Sequence, residues 1–191
     1  MTAKEKILHT IRATHAEETA LPSLEGLGLS FENKPETFKT MLESVGGEVI
    51  EGGKWEAIIA EYYPDAKVIA SNVLDCDIGT LDLDEITDPH ALSTVDLAIV
   101  QAEFSVAENG AVWIKNSNNQ HRALYFIAEH LICVVPRGEI VHTMHEAYER
   151  IGFEEMGFGC FISGPSKTAD IEQALVIGAH GAKSLGVVFV D

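Results

Sequence analysis

Asp96-Leu97-Ala98-Ile99-Val100-Gln101-Ala102, then Glu103-Phe104-Ser105-Val106-Ala107, then Glu108-Asn109-Gly110, then Ala111-Val112-Trp113-Ile114, reads as strand, strand, tight turn, strand. The first run is apolar at nearly every position. That fits a strand covered on both faces, the usual situation in a parallel sheet, where crossover helices lie on either side. Asn109-Gly110 between two apolar runs is a hairpin signal, because both residues tolerate φ > 0. A parallel strand feeding an antiparallel hairpin sets the fold class, provided helices alternate with strands elsewhere.

They do. Upstream, Phe38, Met41, Leu42 and Val45 recur at helical spacing and stop at Gly46-Gly47. A short strand, Glu48-Val49-Ile50, follows, and Trp55, Ile58, Ile59 and Tyr62 repeat the helical stripe before Pro64. Lys67-Val68-Ile69-Ala70 is then a buried strand. Residues 71–95, rich in Asp and Glu with little apolar period, read as a solvated connection holding a short strand or two. Downstream, 115–120 is a polar loop, 121–128 a helix, and Leu131-Ile132-Cys133-Val134-Val135 a buried strand. Met144, Ala147, Tyr148 and Ile151 mark another helix, closed by Gly152, and Leu185 to Val190 is the last strand. The expected fold is α/β, a mainly parallel sheet flanked by helices with an antiparallel hairpin inserted.

Residues 1–33 stand apart as an N-terminal helix carrying Ile7, Leu8 and Ile11 and a linker with Pro22, Gly26 and Gly28; 34–191 form the α/β domain. The net charge of -17, from 30 acidic against 13 basic side chains, repels nucleic acid and anionic membrane surfaces and argues against both as partners. Cys76, Cys133 and Cys160 are scattered and form no C-x-x-C, which indicates neither a disulfide framework nor a self-contained zinc or iron–sulfur site. A reducing cytoplasm fits this usage. No apolar run approaches the ~18 residues of a membrane-crossing helix, so membrane insertion is not expected.

The densest chemistry lies in Phe161-Ile162-Ser163-Gly164-Pro165-Ser166-Lys167-Thr168-Ala169-Asp170-Ile171-Glu172. Thr168 reads as the N-cap of a helix with an apolar face of Ile171, Ala174, Leu175 and Gly178. Ser163, Gly164, Ser166, Lys167, Thr168 and Asp170 then make a ligand cradle. Two further loops are expected to meet it at the carboxyl ends of the parallel strands: Glu108-Asn109-Gly110 and Gly178-Ala179-His180-Gly181. Glu108 is suited to act as base or nucleophile, His180 as acid or base, and Asn109, Gly110 and Gly181 as binding positions. For each the plain alternative is a solvated turn or a backbone hydrogen bond. Glu139, His142, His145 and Glu146 share nearby helical turns, but without a second cluster they read as a solvated helix face, and no metal site is assigned. Neither G-x-x-x-x-G-K nor G-x-G-x-x-G occurs at a strand end.

Ile162 to Glu172, followed by Gly178-Ala179-His180-Gly181 and a terminal apolar strand, resembles the signature of the lactate utilisation protein C family, the LUD domain proteins. Ala107-Glu108-Asn109-Gly110-Ala111 falls where that family carries an Ala-Glu-Thr-Gly-type turn. The likeness covers roughly residues 35–191, and it departs at Asn109, Lys167 and Ala182, where the family more often has Thr, Arg and Pro. The resemblance implies a fold like that of the CoA-transferase and phosphosugar-isomerase superfamily. It also implies a role in oxidising L-lactate to pyruvate alongside iron–sulfur subunits that carry the electrons, this chain itself holding no cofactor. Three roles follow: an accessory or substrate-binding subunit that takes a small carboxylate, an independent acyl-transfer or isomerase-type enzyme, or a non-catalytic assembly module docked through its N-terminal helix.

Overall fold

The computed structural model describes residues 2–14, 20, 22–23, 28–74, 76–116, 121–152, 157–168 and 175–191. In chain order, α1 (Ala3–Ala13) and α2 (Lys34–Ser44) lead into β1 (Glu48–Ile50), α3 (Trp55–Tyr62) and β2 (Ile69–Ser71). Two 3-10 turns, Leu83–Glu85 and Pro89–Thr94, precede β3 (Leu97–Gln101), β4 (Phe104–Val106) and β5 (Ala111–Lys115). Then come α4 (Leu124–Ile127), β6 (His130–Pro136), β7 (Ile140–Val141), α5 (Met144–Arg150), β8 (Gly159–Ile162), β9 (Lys167–Thr168), β10 (Val176–Ile177) and β11 (Ser184–Val190).

Five strands pair in parallel in the order β1-β11-β6-β3-β2. The expected hairpin is β4 and β5, with Phe104 opposite Trp113 and Val106 opposite Ala111; β7 and β8 extend it to a four-stranded sheet. Successive strand residues face opposite sides of a sheet, and that alternation sorts the core into layers. Leu97, Ile99, Ile132, Val134 and Val188 meet Ile58 of α3 on one side of the parallel sheet. Ala98, Val100, Leu131, Cys133, Leu185 and Val187 face the other way, onto Val112 and Ile114 of the second sheet and onto Phe38 and Leu42 of α2. The outer face of the second sheet, with Phe104, Val106 and Trp113, is covered by Ala147 and Ile151 around α5. The order of layers is therefore helix, parallel sheet, hairpin sheet with α2 beside it, helix.

The mainly parallel sheet flanked by helices is as the sequence implied, and two local expectations are corrected. The acidic segment between β2 and β3 holds 3-10 turns where strands were expected. The Asp82 and Asp88 carboxylates accept from the backbone of Asp84 and His90, and Pro89 presets the second turn, so local side-chain bonds replace a ladder. The helix expected to run from Thr168 is also absent at its described ends: Thr168 pairs antiparallel with Val176 and Lys167 with Ile177. Asp170, Ile171 and Ala174 lie outside the described residues. Of that apolar stripe, Leu175 is exposed.

In α1 the Thr2 and Glu5 side chains form a reciprocal capping box, and none of its residues is buried. Phe31 N–H donates to Nδ1 of His142 at 3.0 Å, and its ring lies against the same imidazole. No helix among the described residues is long and apolar enough to cross a membrane.

Candidate functional site

The Ala107–Gly110 turn is held by packing on every side. Gly110 has φ +66, and a Cβ placed there would lie 2.6 Å from both the N and Cα atoms of Leu42, so the turn rests directly on the backbone of α2. The Asn109 side chain accepts from Ala111 N–H at 3.1 Å and closes the turn. The Glu108 carboxylate accepts from the backbone N–H of Met144 at 2.8 Å, at the first turn of α5, where a negative charge suits the positive end of the helix. This turn belongs to the joint between α2, α5 and the hairpin sheet.

The 163–168 segment touches that joint on one side. Ser163 Oγ donates to the Asn109 carbonyl at 2.8 Å, and Gly164, at φ +71, sits where a Cβ would come 2.5 Å from the Val45 carbonyl oxygen. Lys167 extends its ammonium to that same carbonyl, at the C-terminal end of α2, where a cation is favoured. On its other side the segment is tied to the 178–182 loop: Ser166 N–H donates to the Ala182 carbonyl at 2.8 Å, and Gly178 N–H to the Ser166 carbonyl at 2.9 Å.

Between these two tied loops lies a cavity of about 260 Å³, lined by Ser163, Gly164, Pro165, Ser166, His180 and Gly181 together with apolar walls from Tyr125, Phe126, Leu131, Phe161, Ile162 and Leu185. Of the expected site residues, the structure gathers Ser163, Gly164, Ser166, His180 and Gly181 here. Glu108, Asn109, Gly110, Lys167 and Thr168 are not in its lining, and Asp170 lies outside the described residues. The position also differs from expectation. Leu131 and Leu185 are the second residues of β6 and β11, so the cavity opens at the amino ends of the parallel strands, because the 178–182 loop leads into β11 instead of leaving a strand. At the carboxyl ends, Ile50, Phe189, Lys39 and Arg137 border another cavity of about 260 Å³, and none of the expected site residues lines it.

Phe126, His180 and Gly181 also border a neighbouring, more polar cavity of about 430 Å³ with Asp96, Glu129 and Lys183. The Lys183 ammonium pairs with Glu129 and holds that carboxyl below the usual carboxylate range. Asp96 accepts from the N–H groups of Lys67 and Val68, both at 2.8 Å, and the Val68 bond, then the Lys67 bond, lower its carboxyl likewise. Both acids are already engaged, and His180 is the polar side chain that borders both cavities.

Sequence reasoning did not foresee the aromatic walls. Tyr125 and Phe126 come from α4, outside any motif, and Phe161 from β8, so only the convergence of these two elements reveals them. It also passed over His130, whose Nδ1 lies 2.8 Å from Ser184 Oγ at the start of β6 and β11. Among the described residues, no group of three or more His, Cys, Asp or Glu is placed to hold a metal ion. The Glu139–Glu146 constellation is engaged in helix-end contacts: Glu146 accepts from His142 N–H at 2.8 Å, and Glu139 pairs with Arg150. Cys133 is fully buried, and burial pushes the half-buried Cys160 thiol up to about 11, so neither is a ready thiolate.

Comparison with known proteins agrees with the fold. A crystal structure of a DUF162 family protein from Deinococcus radiodurans superposes with a TM-score of 0.63 at 19% identity, over 85% of this chain and 99% of that one, which shows a shared fold. "Lactate utilization protein C" of Geobacillus thermodenitrificans is 30% identical over 140 residues, 70% of this chain and 55% of the relative. The protein of the same name from Oceanobacillus iheyensis is 30% identical over 102 residues, covering 44% of its length, so the chain spans about half the length of these relatives. "Lactate utilization protein C 1" of Bacillus mycoides is 28% identical over 174 residues, 84% of this chain and 73% of the relative. The LUD domain model matches residues 84–190, more than half of the chain and the part that builds both tied loops, and the protein belongs to the LUD domain family.

Proposed function

We propose that this chain is the ligand-holding, accessory subunit of a cytoplasmic system that oxidises L-lactate to pyruvate, with iron–sulfur partner subunits carrying the electrons. The observation that carries this reading is the cavity between the tied 163–166 and 178–182 loops, which places the Ser163 and Ser166 side chains and the His180 imidazole at one opening. A free hydroxyl and an imidazole are suited to a 2-hydroxy carboxylate: the Ser166 hydroxyl donates to a carboxylate, an imidazole bonds the neighbouring alcohol, and Ser163, whose hydroxyl already donates to the Asn109 carbonyl, can only accept. The names of the relatives supply the substrate class, a lactate-like acid.

The acyl-transfer or isomerase alternative has weaker support. It needs Glu108 as nucleophile or base, and that carboxylate is held on the backbone of α5, away from the cavity lining. Titration calorimetry of the chain with L-lactate is expected to give saturable binding, weakened at least tenfold by His180→Asn. Isolation from native extract is expected to bring down a brown, iron-containing partner. Absence of lactate binding together with turnover of an acyl ester by the isolated chain would replace this reading with the enzymatic one.

A further inference from the structure

The helix α1 carries an apolar face that its own chain leaves uncovered. None of its 11 residues is buried; Ile7 is 60% exposed, Leu8 39% and Ile11 57%. The three share one side of the helix, with Lys4 one turn before Ile7 and Leu8, and Arg12 one turn beyond Leu8. A helix of this length is marginal in water even with a capping box, because burial of an apolar face is what holds short helices. The cover for Ile7, Leu8 and Ile11 therefore comes from another molecule.

Charge decides which. Residues 1–14 hold Lys4, Lys6 and Arg12 against Glu5, a net of +2, whereas residues 28–191 hold ten basic and 26 acidic side chains, a net of -16. A basic amphipathic helix can also lie on an anionic membrane, but the body behind this one is repelled by such a surface. A second copy of the chain is an acidic partner, and it offers a matching apolar patch. Phe126, 47% exposed, and Ile127, 37%, stand together in α4 and border the 430 Å³ cavity with Asp96 and Glu129. Lys183, the lysine of that lining, is already paired with Glu129. An apolar stripe flanked by two cations thus fits an apolar patch flanked by two anions. From Thr14 to Gly28 the chain can extend up to roughly 46 Å, enough to reach a neighbouring body.

We propose that α1 of one copy seats on the Phe126–Ile127 face of a second copy, reciprocally, in a two-fold dimer. Ile7, Leu8 and Ile11 lie against Phe126 and Ile127, and Lys4 and Arg12 face Asp96 and Glu129.

The test is sedimentation equilibrium of the full chain at about 10 and about 200 µM, concentrations that bracket a weak dimer. The expected result is a mass that approaches twice 20.8 kDa at the higher concentration, with a dissociation constant that rises at least about tenfold between low and high salt. Ile7→Asp combined with Ile11→Asp should leave a monomer, as should Ile127→Asp. Lys4→Glu combined with Arg12→Glu, and Phe126→Ala as a second change in the seat, should each weaken the dimer at least about tenfold. Melting curves like that of the wild type confirm that each variant is folded. A wild type that stays monomeric at both concentrations overturns the inference and assigns α1 to a different protein. A dimer that survives Ile127→Asp and Phe126→Ala overturns the seat and pairs the two α1 helices with each other.

Discussion

Two glycine-bearing turns in this protein look alike in sequence and differ in what surrounds them. Glu108-Asn109-Gly110 has its acid on the backbone of α5, its amide on Ala111 and its glycine against α2. Gly178-Ala179-His180-Gly181 is tied at its ends by backbone bonds to Ser166, and its histidine stays exposed at the mouth of a cavity. A polar residue beside a glycine thus has no fixed meaning. In the first turn the polar groups satisfy helix ends and turn amides, and in the second the backbone does that work and leaves the side chain available to a ligand. The contrast predicts opposite consequences of substitution, large for stability in the first turn and large for binding in the second.

The strongest test is Gly110→Val. A β-branched residue at φ +66, with its Cβ 2.6 Å from main-chain atoms of Leu42, has no side-chain rearrangement that relieves the contact. We expect a loss of more than about 3 kcal/mol, read as loss of the cooperative urea transition at room temperature. A variant melting near wild type would mean that the turn is not seated on α2.

Glu108→Ala is next. Removing the carboxylate leaves the Met144 N–H at the start of α5 without its partner, which should lower stability by about 1–2 kcal/mol in urea titration. Glu108→Gln retains an acceptor and should recover most of that. If both variants keep full stability yet abolish activity of a reconstituted system, Glu108 is a reacting group and the comparison between the turns fails.

Lys167→Ala tests the cation at the end of α2. The ammonium is exposed and bonds one carbonyl, that of Val45, so the expected loss is about 0.5–1 kcal/mol, shrinking in high salt, with no change in lactate binding. This revises the view of Lys167 as a ligand-pairing charge, because the residue points toward α2 and is absent from the cavity lining.

The layers were legible in the chain because each strand carries its own evidence. Leu97 and Ile99 belong to one face and Ala98 and Val100 to the other, and the Asn109-Gly110 pair marks the hairpin by residue type alone. The backbone at Thr168 and at Val176–Ile177 was not legible. Ile171, Ala174 and Leu175 have helical spacing, yet the neighbouring backbone is fixed by bonds from Ser166 to Ala182 and from Gly178 to Ser166, partners that no local window contains. The site divided in the same way. The serines and His180 announce themselves by residue type, whereas Tyr125, Phe126 and Phe161 join one lining only when α4 and β8 are brought together.

The smallest expected effect on stability belongs to His180→Asn, and it is the most informative about function. The imidazole is exposed and borders two cavities, so its replacement removes little buried surface and should shift stability by less than about 0.5 kcal/mol. Asparagine keeps hydrogen-bonding capacity but lacks the ring. If the imidazole bonds the ligand's alcohol, lactate affinity should fall at least tenfold. The measurement is calorimetric titration of both proteins, with melting curves as the control for folding. A His180→Asn protein that binds lactate like the wild type would make His180 an ordinary loop residue. The second turn would then be no more functional than the first.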